Sequence, residues 1–544
     1  MPRLLFCFFL FFSFCVQAKS SDLLNPSVKS GIAVAVPHSL ATETAEKIFQ
    51  QGGNAFDAAV AVAAVLGVVQ PYASGLGGGG WWLLHTKQGE DVVLDSREVA
   101  PAHLPANLFT FTEMQRQDGP MAALIPGEPA AFVYVNRQYG TLPLHKVLEP
   151  AIYYAEKGFK TDWRFLFWLN DRKEAILKNA YTAALFFEAD KNTPKSFIRQ
   201  PELANTLKAL AKQGHKGYYE GTVARAMVAG VNEAGGVWTV SDLAAYAVKV
   251  RHPIHAEFEN FRLTTVGPPS SGGLSLISML EQAKAIDWRS LSTVDRIHTY
   301  SEMMRRAACE RSQLGDPDFV QNPDAAALRR LRSQLPPITA EATPSNKLSC
   351  KQVVKEAEET THFVIHDAWG NRATVTLSNN FMFGSGFVEP HTGVLLNNHL
   401  DDFTFEKDSP NAPAARKRPL SSIAPNFFDS DCLKITLGTP GGFRIPTMNF
   451  LALMAMAQGN SLKDAIAAPR FHQSLFPDVI QIENKGFAPE TITALKAKHH
   501  AIEDLGRQYG DMQGIVENVC QKTLEAQSDE RGVGMAEPGT IRIP

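Results

Sequence analysis

Ala55–Val69 (AFDAAVAVAAVLGVV) carries one charge, at Asp57. Ala and Val fall on nearly every side of a helix drawn through it, so no face suits water and the segment must be buried all round. Asn54 stands in front of it as an N-cap, and Gly52-Gly53 stop a preceding helix over Ala41–Gln51. A helix of this kind needs neighbours on all sides. With 544 residues, 44% of them apolar and 20% charged, the chain has enough material for a large globular core. A formal charge of −3 offers no long-range attraction to nucleic acid or anionic membranes.

The first residues follow a different plan. Arg3 precedes the apolar run Leu4–Val16 (LLFCFFLFFSFCV), and Val16-Gln17-Ala18 supplies fairly small residues at −3 and −1. This is a secretory signal, expected to be cut after Ala18, with an uncleaved anchor as the alternative. The run is shorter than the roughly 20 residues a bilayer span needs, and no later segment reads as a span. The chain is therefore expected to be secreted or periplasmic, without stable membrane insertion once the signal is removed. Cys309, Cys350, Cys432 and Cys520 remain. They can form disulfides by any of three pairings or stay as buried thiols, and the sequence does not choose.

Strands are predicted at Gly31–Val36, Trp81–Thr86, Asp91–Asp95, Phe258–Val266, Thr361–Ile365, Arg372–Leu377 and Leu433–Leu437. Residues 127–250 read as mainly helical, and further helices are predicted over Leu274–Ala285 and Val294–Leu314. From about 320 to 359, Pro, Ala, Arg, Lys and Glu dominate and aromatics vanish, which predicts an exposed, poorly packed stretch. His499-His500 reads as a surface pair.

Gly75–Gly80 (GLGGGG) matches a dinucleotide fingerprint, but here the helix comes before the glycines and the strand after them. No helix N-terminus would face a pyrophosphate, so the loop reads instead as a tight, close-packed turn. No H-E-x-x-H, paired C-x-x-C, Walker loop or G-x-S-x-G is present, and the 15 histidines are scattered. No metal, cofactor or serine triad is therefore expected.

The sharpest chemical signal is the junction Glu359-Thr360-Thr361-His362, where the loose stretch meets new strands. A threonine hydroxyl is a weak nucleophile until a base stands beside it. An N-terminal threonine carries that base as its own α-amine, and cutting the Glu359–Thr360 bond would create one. Taken alone, Thr360-Thr361 reads first as two strand residues of high β propensity.

The wider pattern reverses that reading. Gly52–Val60 (GGNAFDAAV), Leu76–Gly80 (LGGGG), Asp95–Pro101 (DSREVAP), Pro126-Gly127, Pro268–Gly273 (PPSSGG), Leu314–Phe319 (LGDPDF), Thr360-Thr361-His362, Leu396–Asn398 (LNN), Asp401–Phe403 (DDF), Lys417–Ser422 (KRPLSS) and Pro440–Arg444 (PGGFR) occur in a set order. Together they resemble the γ-glutamyltranspeptidase (glutathione hydrolase) family from about Gly31 to Arg531. The resemblance implies an α/β (α+β) N-terminal-nucleophile hydrolase: an αββα sandwich of two stacked, mainly antiparallel sheets between helix layers. It also implies autocleavage between Glu359 and Thr360. The products would be a large subunit, 19–359, and a small subunit, 360–544, entwined as a heterodimer.

By the same resemblance, Thr360 is the nucleophile, Ser378 hydrogen-bonds it where the family usually has threonine, and Gly441 and Gly442 form the oxyanion hole. Arg97 with Ser421 and Ser422 holds the α-carboxylate of a γ-glutamyl group, and Asp402 with Asn380 holds its ammonium. Arg97 can also be read as a surface ion pair, Asp402 as a helix cap, Asn380 as a loop amide, Ser378 as strand filler, and the serine and glycine pairs as turn residues. Two departures stand out. His399 replaces the usual Gln or Glu beside the ammonium; neutral it accepts a hydrogen bond, protonated it repels. Glu406–Arg416 is short compared with members that carry a lid, which implies an open site. The function expected is γ-glutamyl transfer or hydrolysis, with glutathione as donor and without a cofactor. The alternatives are a related acylase on another amide, such as poly-γ-glutamate or a dicarboxyl-type amide, and a non-catalytic secreted binding protein of the same fold.

Overall fold

The computed structural model describes residues 31–348, 350, 360–473 and 475–538. The expected signal at 1–18 and Glu359 lie outside the described residues.

Ala55–Val69 forms the expected helix with every residue buried. Its start is fixed by a reciprocal cap: Asn54 Oδ1 accepts from the Phe56 and Asp57 amides, and Asp57 Oδ2 accepts from Asn54 N. The charge on Asp57 is met by the Thr141 amide and hydroxyl at 2.8 and 2.7 Å.

This helix covers one face of a seven-stranded sheet. Its strands lie in the order Met535–Pro538, Ala33–Val36, Thr361–His366, Arg372–Ser378, Gly79–His85, Asp91–Asp95, Lys249–Arg251, and every neighbouring pair is antiparallel. A six-stranded antiparallel sheet stacks on the other face, in the order Thr523–Ser528, Gln513–Asn518, Leu433–Gly438, Asn426–Asp429, Phe261–Thr265, Ile254–Phe258. The period of two along each strand sorts side chains between layers. Val34, Val36, Trp82, Leu84, Phe363 and Ile365 join the helix-side core, whereas Ala33, Ala35, Trp81, Leu83 and Val364 lie between the sheets. Helices Gly272–Lys284, Thr293–Arg311 and Arg444–Ala457 cover the outer face of the second sheet. The result is the αββα sandwich.

The sheets approach closely where a glycine faces a ring. A Cβ on Gly438 would stand 2.2 Å from His362 Cε1. His362 is fully buried, its Nδ1 is 2.7 Å from Thr376 Oγ1, and burial pushes its pKa down to about 3. Four residues on, His366 Nε2 crosses to Thr436 Oγ1 of the second sheet at 2.7 Å.

The structure corrects three sequence readings. Phe258–Val266 is not one strand: the chain reverses after Phe258, with Glu259 at φ +54°, to make the hairpin Ile254–Phe258 and Phe261–Thr265. Residues 320–348 lie mostly at the surface, as expected, but they are not poorly packed. They contain the helix Ala325–Ser333 and are pinned to the long helix Thr293–Arg311. Arg306 Nη2 donates to Pro336 O, His298 Nε2 faces Thr339 O, Glu302 Oε1 accepts from Thr343 N, and Cys309 is bonded to Cys350. Apart from the disulfide, these anchors are backbone groups held by buried polar side chains, which an apolar pattern does not reveal. Finally, His499 is exposed but His500 is buried, with its Nε2 2.8 Å from His298 Nδ1. The second disulfide joins Cys432 and Cys520. No helix among the described residues is long and apolar enough to cross a membrane.

Candidate active site

Thr360 is buried at the entrance to the central strand Thr361–His366. The turn after that strand sets what lies opposite. Asp367 Oδ1 accepts from the Trp369 and Asn371 amides, which closes a short hairpin and pairs His366 with Arg372. Counted back along this register, Leu377 faces Thr361, and Ser378 therefore comes beside Thr360. Thr360 Oγ1 and Ser378 Oγ are 3.5 Å apart, at the limit of a hydrogen bond. Ser378 Oγ also accepts from Asn380 N at 2.8 Å. Asn380 has φ +75°, and its Nδ2 donates to Asn398 O, so its Oδ1 is the end left to accept.

Arg97 and Asp402 were expected to hold the α-carboxylate and the α-ammonium of one substrate, and they are paired with each other. Arg97 Nη2 donates to Asp402 Oδ2 at 2.7 Å, and both side chains are buried. Such a pair matches a zwitterion, whose carboxylate and ammonium can replace each partner with its own kind of charge. His399 joins the cluster with Nε2 3.8 Å from Asp402 Oδ2 and Nδ1 3.0 Å from Glu98 Oε1. The short segment Glu406–Arg416 is tied in by Asn411, which donates to Asp402 O and accepts from Leu420 N.

Ser421 and Ser422 lie in the loop between the sheets' edges and the Pro268–Gly273 turn. Ser421 N bonds Pro269 O, and Ser271 N bonds Ser421 O. Ser421 Oγ accepts from Trp81 Nε1, and Ser422 Oγ accepts from Arg311 Nε, each at 3.3 Å. Their oxygens are thus already approached by donors, which suits their hydroxyl hydrogens to donating to an anion.

Gly441 and Gly442 form the turn from the strand Leu433–Gly438 into the helix Arg444–Ala457. Their φ values are +137° and +55°, a region that favours glycine, and backbone N–H groups at a helix start are suited to meeting negative charge. The contact of Gly438 with His362 joins the sheets two residues after Thr360 and three before Gly441.

The family model for gamma-glutamyltranspeptidase matches residues 41–539. The chain belongs to the gamma-glutamyltranspeptidase family. The "Glutathione hydrolase proenzyme" of Escherichia coli (strain K12) is 32% identical over 91% of this chain and 90% of its own length. The protein of the same name from Pseudomonas aeruginosa is 34% identical, with 96% of each chain covered. A cephalosporin acylase from Bacillus halodurans superposes with a TM-score of 0.83 at 24% identity, covering 93% of this chain and 96% of that one, which speaks to the fold. Hydrolysis or transfer of γ-glutamyl amides by an N-terminal-nucleophile hydrolase is the activity at the level of this γ-glutamyltranspeptidase family.

Glu98, Trp81 and Arg311 are the contacts the sequence reading missed. Glu98 directly follows Arg97, but a carboxylate next to an arginine is too common a pairing to signal a shared site. Trp81 and Arg311 reach the serines only through the stacking of distant segments.

Proposed function

We propose that the chain is an autoprocessed γ-glutamyltransferase and glutathione hydrolase, secreted or periplasmic, with Thr360 as its nucleophile. The signal 1–18 is removed, and cleavage at Glu359–Thr360 yields subunits 19–359 and 360–544 that remain one shared fold. The observation that carries this reading is the buried threonine at the head of a central strand, with a hydroxyl beside it and a carboxylate–guanidinium pair for an amino-acid head. Two disulfides suit an oxidising compartment, and the relatives' printed name, "proenzyme", suits processing.

In the proposed reaction, Arg97, Ser421 and Ser422 hold the donor's α-carboxylate, and Asp402, Asn380 and His399 hold its ammonium. Thr360 Oγ attacks the γ-carbonyl while the Thr360 α-amine takes the hydroxyl proton. The Gly441 and Gly442 amides stabilise the oxyanion. The C–N bond breaks, the leaving amine takes the proton, and a γ-glutamyl ester remains on Thr360. Water, or the amine of an amino acid, gives its proton to the same α-amine and attacks the ester; the acyl C–Oγ bond breaks, Thr360 Oγ takes that proton back, and glutamate or a new γ-glutamyl amide is freed.

The test is a denaturing gel together with hydrolysis of a γ-glutamyl anilide, for wild type beside Thr360→Ala. Two chains with turnover in wild type, and one silent chain in the variant, are expected. One uncut, inactive wild-type chain would favour a binding protein. Two chains without γ-glutamyl release would favour an acylase acting on another amide.

A further inference from the structure

Glu98 is completely buried, and neither of its oxygens makes a well-aligned hydrogen bond among the described residues. Three groups face it. Arg97 Nη1 is 3.5 Å from Oε2, and His399 Nδ1 is 3.0 Å from Oε1, close but off the ideal hydrogen-bond angle. The third is Glu128, also fully buried. Burial pushes the Glu98 carboxyl up, but His399 and Arg97 pull it the other way, to below the ordinary carboxylate value; with the ring neutral, the permanent charge of Arg97 and the N–H of His399 remain to favour the anion. Burial, and then the charge of Glu98, push Glu128 well up. Of the two carboxyl groups, Glu98 is therefore the anion and Glu128 keeps its proton.

An ionised carboxylate only accepts, so the imidazole nitrogen that faces it must carry hydrogen. A neutral ring has one N–H. With that hydrogen on Nδ1, Nε2 bears the lone pair, and Nε2 lies 3.8 Å from Asp402 Oδ2. At that spacing one ammonium nitrogen can reach both atoms at about 2.8 Å.

We propose that Glu98 is a positioning residue: it holds His399 as the Nδ1–H tautomer, so that His399 Nε2 serves beside Asp402 as a second acceptor for the donor's α-ammonium. The site then selects α-amino acyl groups over their des-amino counterparts. This rests on the reading of Arg97 and Asp402 as the amino-acid clamp. Arg97, Glu98 and Asp402 are the charged groups that face the ring, with Glu128 behind Glu98.

The test compares, at one pH, the KM of a γ-glutamyl anilide with the Ki of glutarate, which is glutamate without its amino group. It uses processed wild type, Glu98→Gln, His399→Phe and His399→Gln. Glu98→Gln and His399→Phe should each raise KM several-fold and spare the Ki of glutarate, which has no ammonium to lose. The glutamine amide oxygen is an acceptor, so His399→Gln should bring KM back towards wild type. If Glu98→Gln does not mature, the two His399 variants decide. A wild-type KM in Glu98→Gln, an equal loss of both affinities in Glu98→Gln, or a KM in His399→Gln as high as in His399→Phe would overturn the proposal. Absence of γ-glutamyl turnover by wild type would instead remove the reading on which it rests.

Discussion

Gly438→Ala is the smallest change that tests how the two sheets hold the site. The new methyl carbon would stand 2.2 Å from Cε1, 2.4 Å from Nε2 and 2.7 Å from Nδ1 of His362. Carbon atoms settle at about 3.5 Å or more, so something must move by more than about 1 Å. The ring has little freedom, because it is fully buried and held at 2.7 Å by Thr376. Neither strand can yield alone, since Gly438 is laddered to Gln513 and His362 to Thr376. Overpacking of this kind costs about 1–3 kcal/mol. A shift of about 1 Å next to reacting groups costs on the order of 10²-fold in rate. Thermal melting and steady-state hydrolysis of a γ-glutamyl anilide should therefore show a lowered Tm and a kcat reduced about a hundredfold in Gly438→Ala. The double variant with His362→Ala should melt no lower than His362→Ala alone, because the atoms that clash are gone. Wild-type Tm and kcat in Gly438→Ala would refute the close approach and its role.

Other substitutions probe single contacts. Ser378→Ala should lower kcat roughly five- to tenfold, the worth of one neutral hydrogen bond, and Ser378→Thr, which keeps the hydroxyl, should stay near wild type in the same assay. Gly442→Ala places a side chain at φ +55° in the turn offered as the oxyanion hole, and kcat should fall about 10²–10³-fold with little change in KM. Glu310, buried and bonded to Ser278 Oγ at 2.9 Å, has its pKa pushed up by burial to about 7, against some opposition from Arg332. A carboxyl whose folded value is raised favours the fold while protonated. Its contribution is complete below about pH 4.5 and is lost as pH climbs to about 7, a change of about 3 kcal/mol at 1.4 per unit. In Glu310→Gln, melting temperatures followed across that window should lack this decline.

Much of the architecture was legible in the sequence because period and capping act locally. Asn54 and the unbroken Ala/Val surface set the bounds of the helix Ala55–Val69, a short apolar run between two aspartates set Asp91–Asp95, and alternation set Arg372–Leu377. What was not legible depends on distant partners. The edge strands Thr523–Ser528 and Met535–Pro538 carry few β-branched or aromatic residues, and the neighbours they pair with make them strands. The segment 320–348 is fastened by Glu302, Arg306 and His298, which a helical pattern marks only as polar positions. For the site, the order of the short motifs pointed to Thr360, Ser378, Arg97, Asp402 and His399. Their pairing did not follow from it. That Arg97 clasps Asp402, and that Glu98 stands against His399, comes from loops about three hundred residues apart meeting at the edge of one sheet.

Intact-mass and N-terminal analysis of active, purified protein gives the most direct check on the nucleophile. The expected result is a smaller chain that begins with a free Thr360 amine and a larger one that ends at Glu359, with Thr360→Ala remaining a single chain. Full γ-glutamyl turnover by protein in which residues 359 and 360 are still joined by a peptide bond would contradict the account, since the hydroxyl would then act without the amine assigned as its base.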